Sequence, residues 1–514
     1  MFKKIPNSIK IFLTLFFVFF ITASGNTDSI DGTTHMYLAK KMYLNKSISF
    51  SKKELFRELA VQINTTNKQY YSIYNFGYAI LLIPGVALSE NIHHLLNVHS
   101  TNWPFKPDII FILYGNILNG FIISLIGLFI YSIIKSYDKS LIKNNRLILL
   151  IIASVLSTNL FVQGHHQFAH PSFILFFLLS FIFLHKYILN EKKINLLFFS
   201  CFYALTASVY NATFVLLIPT FIIYYCLSVS VKKWNIFYLF TFAPAILVQL
   251  MWNFMRYGNI FHTGYTELKL QLYETNFLNI IHHFIALTIG TDKGLFIQNP
   301  LLIIPFIILL LKMIKKVKIT PFDAFFIVLT CSYFINYSSA TIWHGESTYG
   351  PRYLSPLIPV AIIYLFLQKN VFNKYGKLIL VLTVAGLFVQ LPGLLIPHFS
   401  IPYLAPYYCK DTIHRYFDIR CSPIKVGLSH LIKRRIKETV VTTSNIGKIN
   451  NISLNYPDTA KPFRTIYPDP LFDRFSKYKT KEYPINQKMM DDIYSFTLDI
   501  WWIKGVLYKN VFNL

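Results

Sequence analysis

Residues 108–134 read DIIFILYGNILNGFIISLIGLFIYSII, and after Asp108 the stretch has no charged side chain. Roughly 20 consecutive apolar residues are enough for a helix to cross the hydrocarbon core of a bilayer, so this stretch predicts a transmembrane span. The whole chain agrees, because 54% of its 514 residues are hydrophobic and only 14% are charged, against about 25% charged in soluble domains. We therefore expect an all-α polytopic membrane protein. The composition excludes a disordered chain, a coiled coil, a disulfide scaffold and an ordinary soluble enzyme.

About eleven stretches are predicted as spans. They cover approximately residues 9–24, 108–134, 146–163, 168–188, 194–208, 211–231, 234–254, 294–313, 321–343, 353–368 and 377–397. Residues 194–231 are too long for one span, so we expect two short spans that meet at Val209-Tyr210-Asn211. The apolar run Ile80–Leu88 is too short to span, and we expect an interfacial or re-entrant helix over 76–96.

The positive charges predict how the spans are oriented. With the N-terminus inside, Lys and Arg collect in the inner loops, and Arg352 is the only Lys or Arg in the short outer loops near 164–167, 209–210 and 344–352. This is the positive-inside pattern. The excess of 49 Lys and Arg over 23 Asp and Glu is therefore assigned to span flanks and not to nucleic-acid binding. We expect an integral membrane protein with its N-terminus in the cytoplasm and its C-terminus outside.

Two domains follow from this layout. Residues 1–397 form the predicted transmembrane domain, with large outer parts at 25–107 and 255–293. Residues 398–514 form a C-terminal extracytoplasmic domain, expected to be small and α+β or irregular. In it, Cys409 and Cys421 either form a disulfide in an oxidising compartment or remain free thiols. The first span is expected to stay uncleaved, although Met1 to Asn26 also fits a cleaved signal peptide.

The outer parts contain most of the polar residues near the membrane. Asp28 and Asp31 follow the first span directly. A carboxylate at this edge can accept a proton from a hydroxyl group or hold a divalent cation, although turn-forming acids also occur as plain span flanks. Tyr71 and Tyr74 either anchor the chain at the interface or bind a sugar face.

Arg352 lies at the predicted outer edge of the membrane, directly after Gly350-Pro351. An Arg in this place either binds a phosphate through two N–H groups or anchors the helix by reaching to the interface. The Gly-Pro pair predicts a tight turn that holds Arg352 rigidly.

Taken in order, these clusters resemble the GT-C superfamily of polytopic glycosyltransferases, in particular the dolichyl-phosphate-mannose and aminoarabinose-transferase-like branch. The resemblance covers about residues 8–397. It is carried by Asp28-Ser29-Ile30-Asp31-Gly32 with Tyr37-Leu38-Ala39, by Tyr71-Ser72-Ile73-Tyr74-Asn75-Phe76-Gly77, by Arg256-Tyr257-Gly258-Asn259 with Thr263-Gly264-Tyr265, by Gly294-Leu295-Phe296 with Asn299-Pro300-Leu301, and by Trp343, Gly345 and Tyr349-Gly350-Pro351-Arg352-Tyr353-Leu354. In the second motif, Asn75-Phe76 replaces the double proline of the family.

The resemblance implies that a sugar moves from a polyprenyl-phosphate donor to a lipid, glycan or protein acceptor on the outer face of the membrane, which would be a bacterial cytoplasmic (inner) membrane. It implies that the first-loop Asp is the catalytic base or organises a metal. We assign this role to Asp31, with Asp28 as second choice. The remaining implied site residues are Arg352, Arg256 and Lys293 for the donor phosphate, Tyr71, Tyr74, His344 and Glu346 for acceptor or sugar, and Asp31, Asp28 and Glu346 for a divalent metal if one is used.

Three alternatives remain open at this stage. One is a flippase or transporter of a lipid-linked sugar, which often has internal repeats. Another is a polymerase or ligase of the O-antigen type. The third is an inactive relative that acts as a scaffold. The acidic motif directly after the first span favours the glycosyltransferase.

Overall fold

The computed structural model describes residues 6–24, 30–52, 60–64, 66–95, 109–137, 145–210, 213–230, 235–264, 273–341, 343, 349–368, 371–396, 417, 422–428 and 500–501. Its α-helices are α1 (Asn7–Thr22), α2 (Ile30–Leu44), α3 (Gly77–Leu95), α4 (Ile109–Tyr137), α5 (Asn145–Leu156), α6 (Asn159–His165), α7 (His170–Asn190), α8 (Lys193–Val209), α9 (Leu217–Ser228), α10 (Ala243–Tyr257), α11 (Phe277–Ile289), α12 (Leu295–Gln298), α13 (Ile303–Ile314), α14 (Pro321–Ser339), α15 (Leu357–Leu367) and α16 (Val371–Leu395). Short 3₁₀ helices precede α9, α10, α13 and α15, at Thr213–Leu216, Ile236–Phe242, Pro300–Leu302 and Arg352–Leu354.

The predicted class of helical, polytopic membrane protein is confirmed, and every predicted span contains a helix. Within the described ranges, four helices are long and apolar enough to cross a membrane, and the bent pair α5–α6 makes a possible fifth span. Five further predicted spans, α1 and α8 among them, are apolar helices of 10–17 residues. The last, α14, has 19 residues of more mixed composition.

The predicted span 146–163 is not straight, because α5 and α6 are bent by 70° relative to each other. Between them, the Thr158 hydroxyl donates to the Val155 carbonyl at 3.0 Å, and such side-chain bonds compete with the helical backbone bonds. The Asn159 backbone N–H donates to Asn299 Oδ1 at 2.6 Å. The bend therefore results from polar side chains that replace backbone hydrogen bonds of the helix. Hydropathy does not reveal such a replacement.

Two other sequence predictions can be compared directly with the helices. The chain breaks between α8 and α9 where expected, because Tyr210 has an extended backbone (φ −135°, ψ 119°). The apolar run near 76–96 forms the single helix α3, which continues through Pro84 and packs against α2 and α4. It is not among the described helices that are apolar enough to cross a membrane.

The segment between α1 and α4, which is predicted to lie outside, contains a small antiparallel sheet of β1 (Ser49–Phe50), β2 (Val61–Ile63) and β3 (Tyr70–Ser72), with β3 in the centre. Gln62 pairs with Tyr71 and Phe50 with Tyr70. The sheet is tied to α2, because the Ala60 N–H donates to the Thr34 hydroxyl at 2.9 Å. It thereby fixes the segment that follows β3 next to the start of α2.

The second segment predicted to lie outside, 255–293, contains an apolar helix that the sequence did not predict. This helix, α11, packs on α14, and Asn276 caps it by accepting from the Leu278 N–H at 2.9 Å, as capping residues do. Only 13 residues long, it is too short for a span of about 20 residues.

Trp501 packs against the first helix. The Trp501 backbone N–H donates to the Ala23 carbonyl at 2.9 Å, and its indole N–H donates to the Phe20 carbonyl at 2.8 Å. The Trp501 ring also packs edge-to-face on Phe20, with centroids 5.7 Å apart. Residues 500–501 thus lie at the same end of α1 as α2. The predicted disulfide of Cys409 and Cys421 lies outside the described residues.

Candidate active site

The site centres on Asp31, in the first turn of α2. The N-terminal end of a helix carries a partial positive charge that favours an anion there. One carboxylate oxygen, Oδ1, accepts a 2.5 Å hydrogen bond from the Tyr74 hydroxyl. The other, Oδ2, accepts a 2.7 Å charge-assisted bond from Arg352 Nη1. Residues 31, 74 and 352, from three of the resembled motifs, are therefore in direct contact.

Arg352 is held by the turn that the sequence predicted. Gly350 has φ +71°, a left-handed conformation that a side chain disfavours. A Cβ at Gly350 would lie 2.5 Å from Asn159 Nδ2, which donates to the Tyr349 carbonyl at 3.1 Å. Arg352 then begins a 3₁₀ turn, and its carbonyl accepts from the Ser355 hydroxyl at 2.5 Å. The backbone at Arg352 is thus tied on both sides.

Aromatic rings pack beside the guanidinium. It lies 5.1 Å from the Tyr353 ring, within the range of a cation–π contact. Tyr353 stacks on Tyr337 at 4.7 Å with an interplanar angle of 7°. The Tyr337 hydroxyl is 3.0 Å from the Thr213 hydroxyl. This column connects the site to α14 and to the start of α9.

His35 and His170 complete the surroundings, and the sequence analysis assigned neither to the site. His35 lies one helical turn after Asp31, and residues at i and i+4 share a helix face. Its ring stacks on Tyr74 with centroids 5.3 Å apart. His170 lies 6.2 Å from the Tyr353 ring and close enough to Asp31 and Arg352 to interact with both electrostatically. In the sequence, only the spacing of four residues between Asp31 and His35 indicated that His35 belongs to the site.

The charges of the site are those of a buried ion pair. Asp31 is 9% exposed and Arg352 6%. Burial disfavours the charged carboxylate, but the Arg352 guanidinium, the Tyr74 hydroxyl and the two histidines outweigh it and lower the pKa of Asp31 below its ordinary 3.8. Burial lowers the pKa of His35 from 6.5 to about 4, against the attraction of Asp31. At neutral pH the pair is therefore charged and His35 is neutral.

Arg256, a predicted phosphate contact, lies completely buried in α10. Its Nη1 donates to the Ser72 carbonyl at 2.7 Å and its Nη2 to Asn253 Oδ1 at 2.9 Å. Its own carbonyl accepts from Asn64 Nδ2 at 2.8 Å. The bonds with Ser72 and Asn64 join α10 to the small sheet, whereas Asn253 belongs to α10 itself. Its contact with a phosphate remains a prediction.

Tyr71 and Lys293 also lie away from the described contacts of Asp31. The Tyr71 hydroxyl donates to Gln69 Oε1 at 3.2 Å and accepts from Asn67 Nδ2 at 2.9 Å, so it closes the turn between β2 and β3. Lys293 is 2% exposed, and its Nζ lies 3.8 Å from Asp292 Oδ1. The substrate-binding roles of both remain predictions.

The predicted site residues Asp28, His344 and Glu346 lie outside the described residues. Of the described chain, no group of three or more His, Cys, Asp or Glu side chains is arranged to hold a metal ion. Arg352 Nη1 lies 2.7 Å from Asp31, where a cation would be repelled. In this arrangement Asp31 and its described neighbours do not fit a divalent metal, so a metal site that also includes Asp28 or Glu346 remains a prediction.

No protein-family model matches the chain, and no curated protein matches its sequence. Among solved structures, the chain is similar to ArnT from Cupriavidus metallidurans bound to undecaprenyl phosphate, with 10% identity and a TM-score of 0.44. The likeness covers 82% of this chain and 74% of that one.

Proposed function

We propose that this protein is a membrane glycosyltransferase that moves a sugar from a polyprenyl-phosphate donor to an acceptor hydroxyl at the outer membrane surface. The observation that supports it most is the buried contact of Asp31 with Arg352 and Tyr74. A carboxylate and a guanidinium next to each other provide a base for an acceptor and a partner for a phosphate. The apolar helices around them would keep the polyprenyl chain in the bilayer.

The chemistry requires a good leaving group and a deprotonated acceptor. The bond between the sugar C1 and the phosphate oxygen breaks, and its electron pair stays on the phosphate. Arg352 stabilises that developing charge. A bond forms between C1 and the acceptor oxygen, whose proton passes to the Asp31 carboxylate. Tyr74 is partly exposed and donates to Asp31 Oδ1, so it orients the carboxylate toward the acceptor.

The same proposal includes the location of the reaction. Arg352 belongs to a short outer loop by charge distribution, and Asp31 follows the first span directly. The N-terminus is then cytoplasmic, and the domain at 398–514 is extracytoplasmic in a bacterial inner membrane. Lipid, glycan and protein acceptors can all offer the hydroxyl that the chemistry needs, and an assay across the three distinguishes them.

The test is turnover of labelled polyprenyl-phosphate sugars by purified protein in lipid nanodiscs, with and without divalent metal. Asp31→Asn keeps the size of the side chain and removes the base, so we expect turnover to fall by about 100-fold or more. Glu90→Gln is the matched control, since it also removes one negative charge, at the Lys40–Glu90 pair of 3.5 Å and not at Asp31. Equal turnover by wild type and Asp31→Asn would discard Asp31 as the base. Absence of turnover by wild type across donors and acceptors, with transbilayer movement of the donor, would favour a flippase.

A further inference from the structure

In the described arrangement, Asp31 is not ready to act as a base. Each of its carboxylate oxygens already accepts a short hydrogen bond, at 2.5 Å from Tyr74 and at 2.7 Å from Arg352. The bond to Arg352 also stabilises the charged form, which makes the carboxylate a weaker proton acceptor. An acceptor hydroxyl would therefore meet an occupied carboxylate.

We propose that the donor phosphate displaces Asp31 from Arg352, and that this exchange frees Asp31 to deprotonate the acceptor. The inference rests on the proposed function and adds an order of events to it. Without donor, the carboxylate and the guanidinium neutralise each other. With donor, the guanidinium holds the phosphate and the carboxylate faces the acceptor.

The exchange conserves charge at a buried position. A sugar linked through one phosphate to a polyprenol is a phosphodiester with one negative charge, the same charge as the Asp31 carboxylate. Arg352 is 6% exposed, and a buried guanidinium left without an anion costs several kcal/mol. Replacing one anion by another avoids that cost.

The shape of the site suits the incoming group. The backbone at Arg352 is fixed by the Gly350 turn and by Ser355, so the guanidinium stays in place while its partner changes. A guanidinium presents a planar fork of N–H groups that matches two phosphate oxygens. Its present bond to Asp31 uses Nη1.

The neighbouring histidines provide further polar groups for the exchanged state. Nδ1 of His35 and both ring nitrogens of His170 are buried without a hydrogen-bond partner in the described chain. Unpaired buried polar atoms are costly and need a reason. A phosphate on Arg352, or Asp31 after its release, would give these nitrogens a partner.

The test is equilibrium binding of a fluorescent polyprenyl phosphate to the full chain in nanodiscs, for wild type, Asp31→Asn, Arg352→Gln and the double variant. If Asp31 competes for Arg352, Asp31→Asn binds about tenfold more tightly than wild type. The gain disappears in the Arg352→Gln background, because the contested group is gone. Glu90→Gln controls for the change in net charge and is expected to bind as wild type does.

Two results would overturn the exchange. Equal or weaker binding by folded Asp31→Asn means that the carboxylate does not compete. A gain that persists in the double variant means that Asp31 repels the phosphate at a distance and not through Arg352. If the variants fold poorly, infrared difference spectra of wild type provide a second test. Adding polyprenyl phosphate should shift a carboxylate band, and an unchanged spectrum rejects the exchange.

Binding and turnover separate this inference from the proposed function. Sugar transfer by wild type without tighter binding by Asp31→Asn would support the proposed transferase activity and reject the exchange of anions. Tighter binding by Asp31→Asn that depends on Arg352, without sugar transfer by wild type, would support the exchange of anions and reject the transferase activity.

Discussion

Replacing Gly350 by Ala should damage both stability and activity, and the structure allows the two effects to be separated. Gly350 has φ +71°, and a Cβ would approach Asn159 Nδ2 to 2.5 Å. Gly258 provides a matched position, because it has φ +70° but no atom within 4 Å of its Cβ. The two variants share the backbone strain, and only Gly350→Ala adds a clash.

The magnitudes follow from these contacts. A side chain in the left-handed region costs about 1–2 kcal/mol, and we expect this loss from Gly258→Ala. At Gly350 the Asn159 side chain must also move, with loss of its bond to the Tyr349 carbonyl at 3.1 Å. Overpacking and the lost bond add about 1–3 kcal/mol. Gly350→Ala should therefore lose about 2–5 kcal/mol.

The assay is unfolding in mixed micelles by titration with SDS, followed by turnover of the folded fraction. Because Arg352 lies two residues after Gly350, we expect Gly350→Ala to displace the Arg352 side chain by about 1 Å. This displacement should reduce turnover by about 100-fold, whereas Gly258→Ala should retain turnover. Equal losses of stability in the two variants would refute the steric part of the reasoning. Normal turnover by a folded Gly350→Ala would refute the role of the turn in placing Arg352.

Two further predictions concern buried groups around the site. Folding lowers the pKa of His35 from 6.5 to about 4, so between these pH values the unfolded chain binds more protons than the folded one. The contribution of His35 to the free energy of unfolding is therefore complete above pH 6.5. The free energy of unfolding declines by about 3 kcal/mol as the pH falls to 4. His35→Asn should flatten the stability profile in that window, and an unchanged slope would contradict the assignment. Arg256→Lys should lower the free energy of unfolding by about 2–4 kcal/mol, because Lys lacks the planar fork of N–H groups that reaches Ser72 and Asn253. The affinity for polyprenyl phosphate should stay unchanged. Weaker binding by a variant of full stability would instead support the predicted phosphate contact.

Hydropathy and charge were sufficient to predict the helices of the spans, because each span is selected by the same property along its whole length, but they did not predict α2 or α11. They were insufficient where one polar side chain changes the backbone. Asn299 accepts the Asn159 N–H from 140 positions away in the chain, and no local pattern of residues 146–163 contains that partner. The bend between α5 and α6 therefore needed the tertiary structure.

The site was predicted in the same uneven way. The motifs named Asp31, Tyr74 and Arg352, and the turn at Gly350 was predicted from its residues alone. The pairing of Asp31 with Arg352 spans 321 positions, so the sequence could suggest a shared site but not which groups touch. His35 was missed because a histidine on an ordinary helix face has no distinctive pattern beyond its spacing from Asp31.

The two buried arginines, Arg256 and Arg352, differ in the charge of the groups to which they donate. Arg256 donates to a backbone carbonyl and a side-chain amide, neutral acceptors that belong to the packing of α10 and the first outer part. Removing them would disrupt that packing, so a ligand gains little by replacing them. Arg352 is held by a carboxylate, and another anion can replace a carboxylate without loss of charge balance. The type of partner, and not burial or charge, therefore makes Arg352 the arginine that can exchange its ligand.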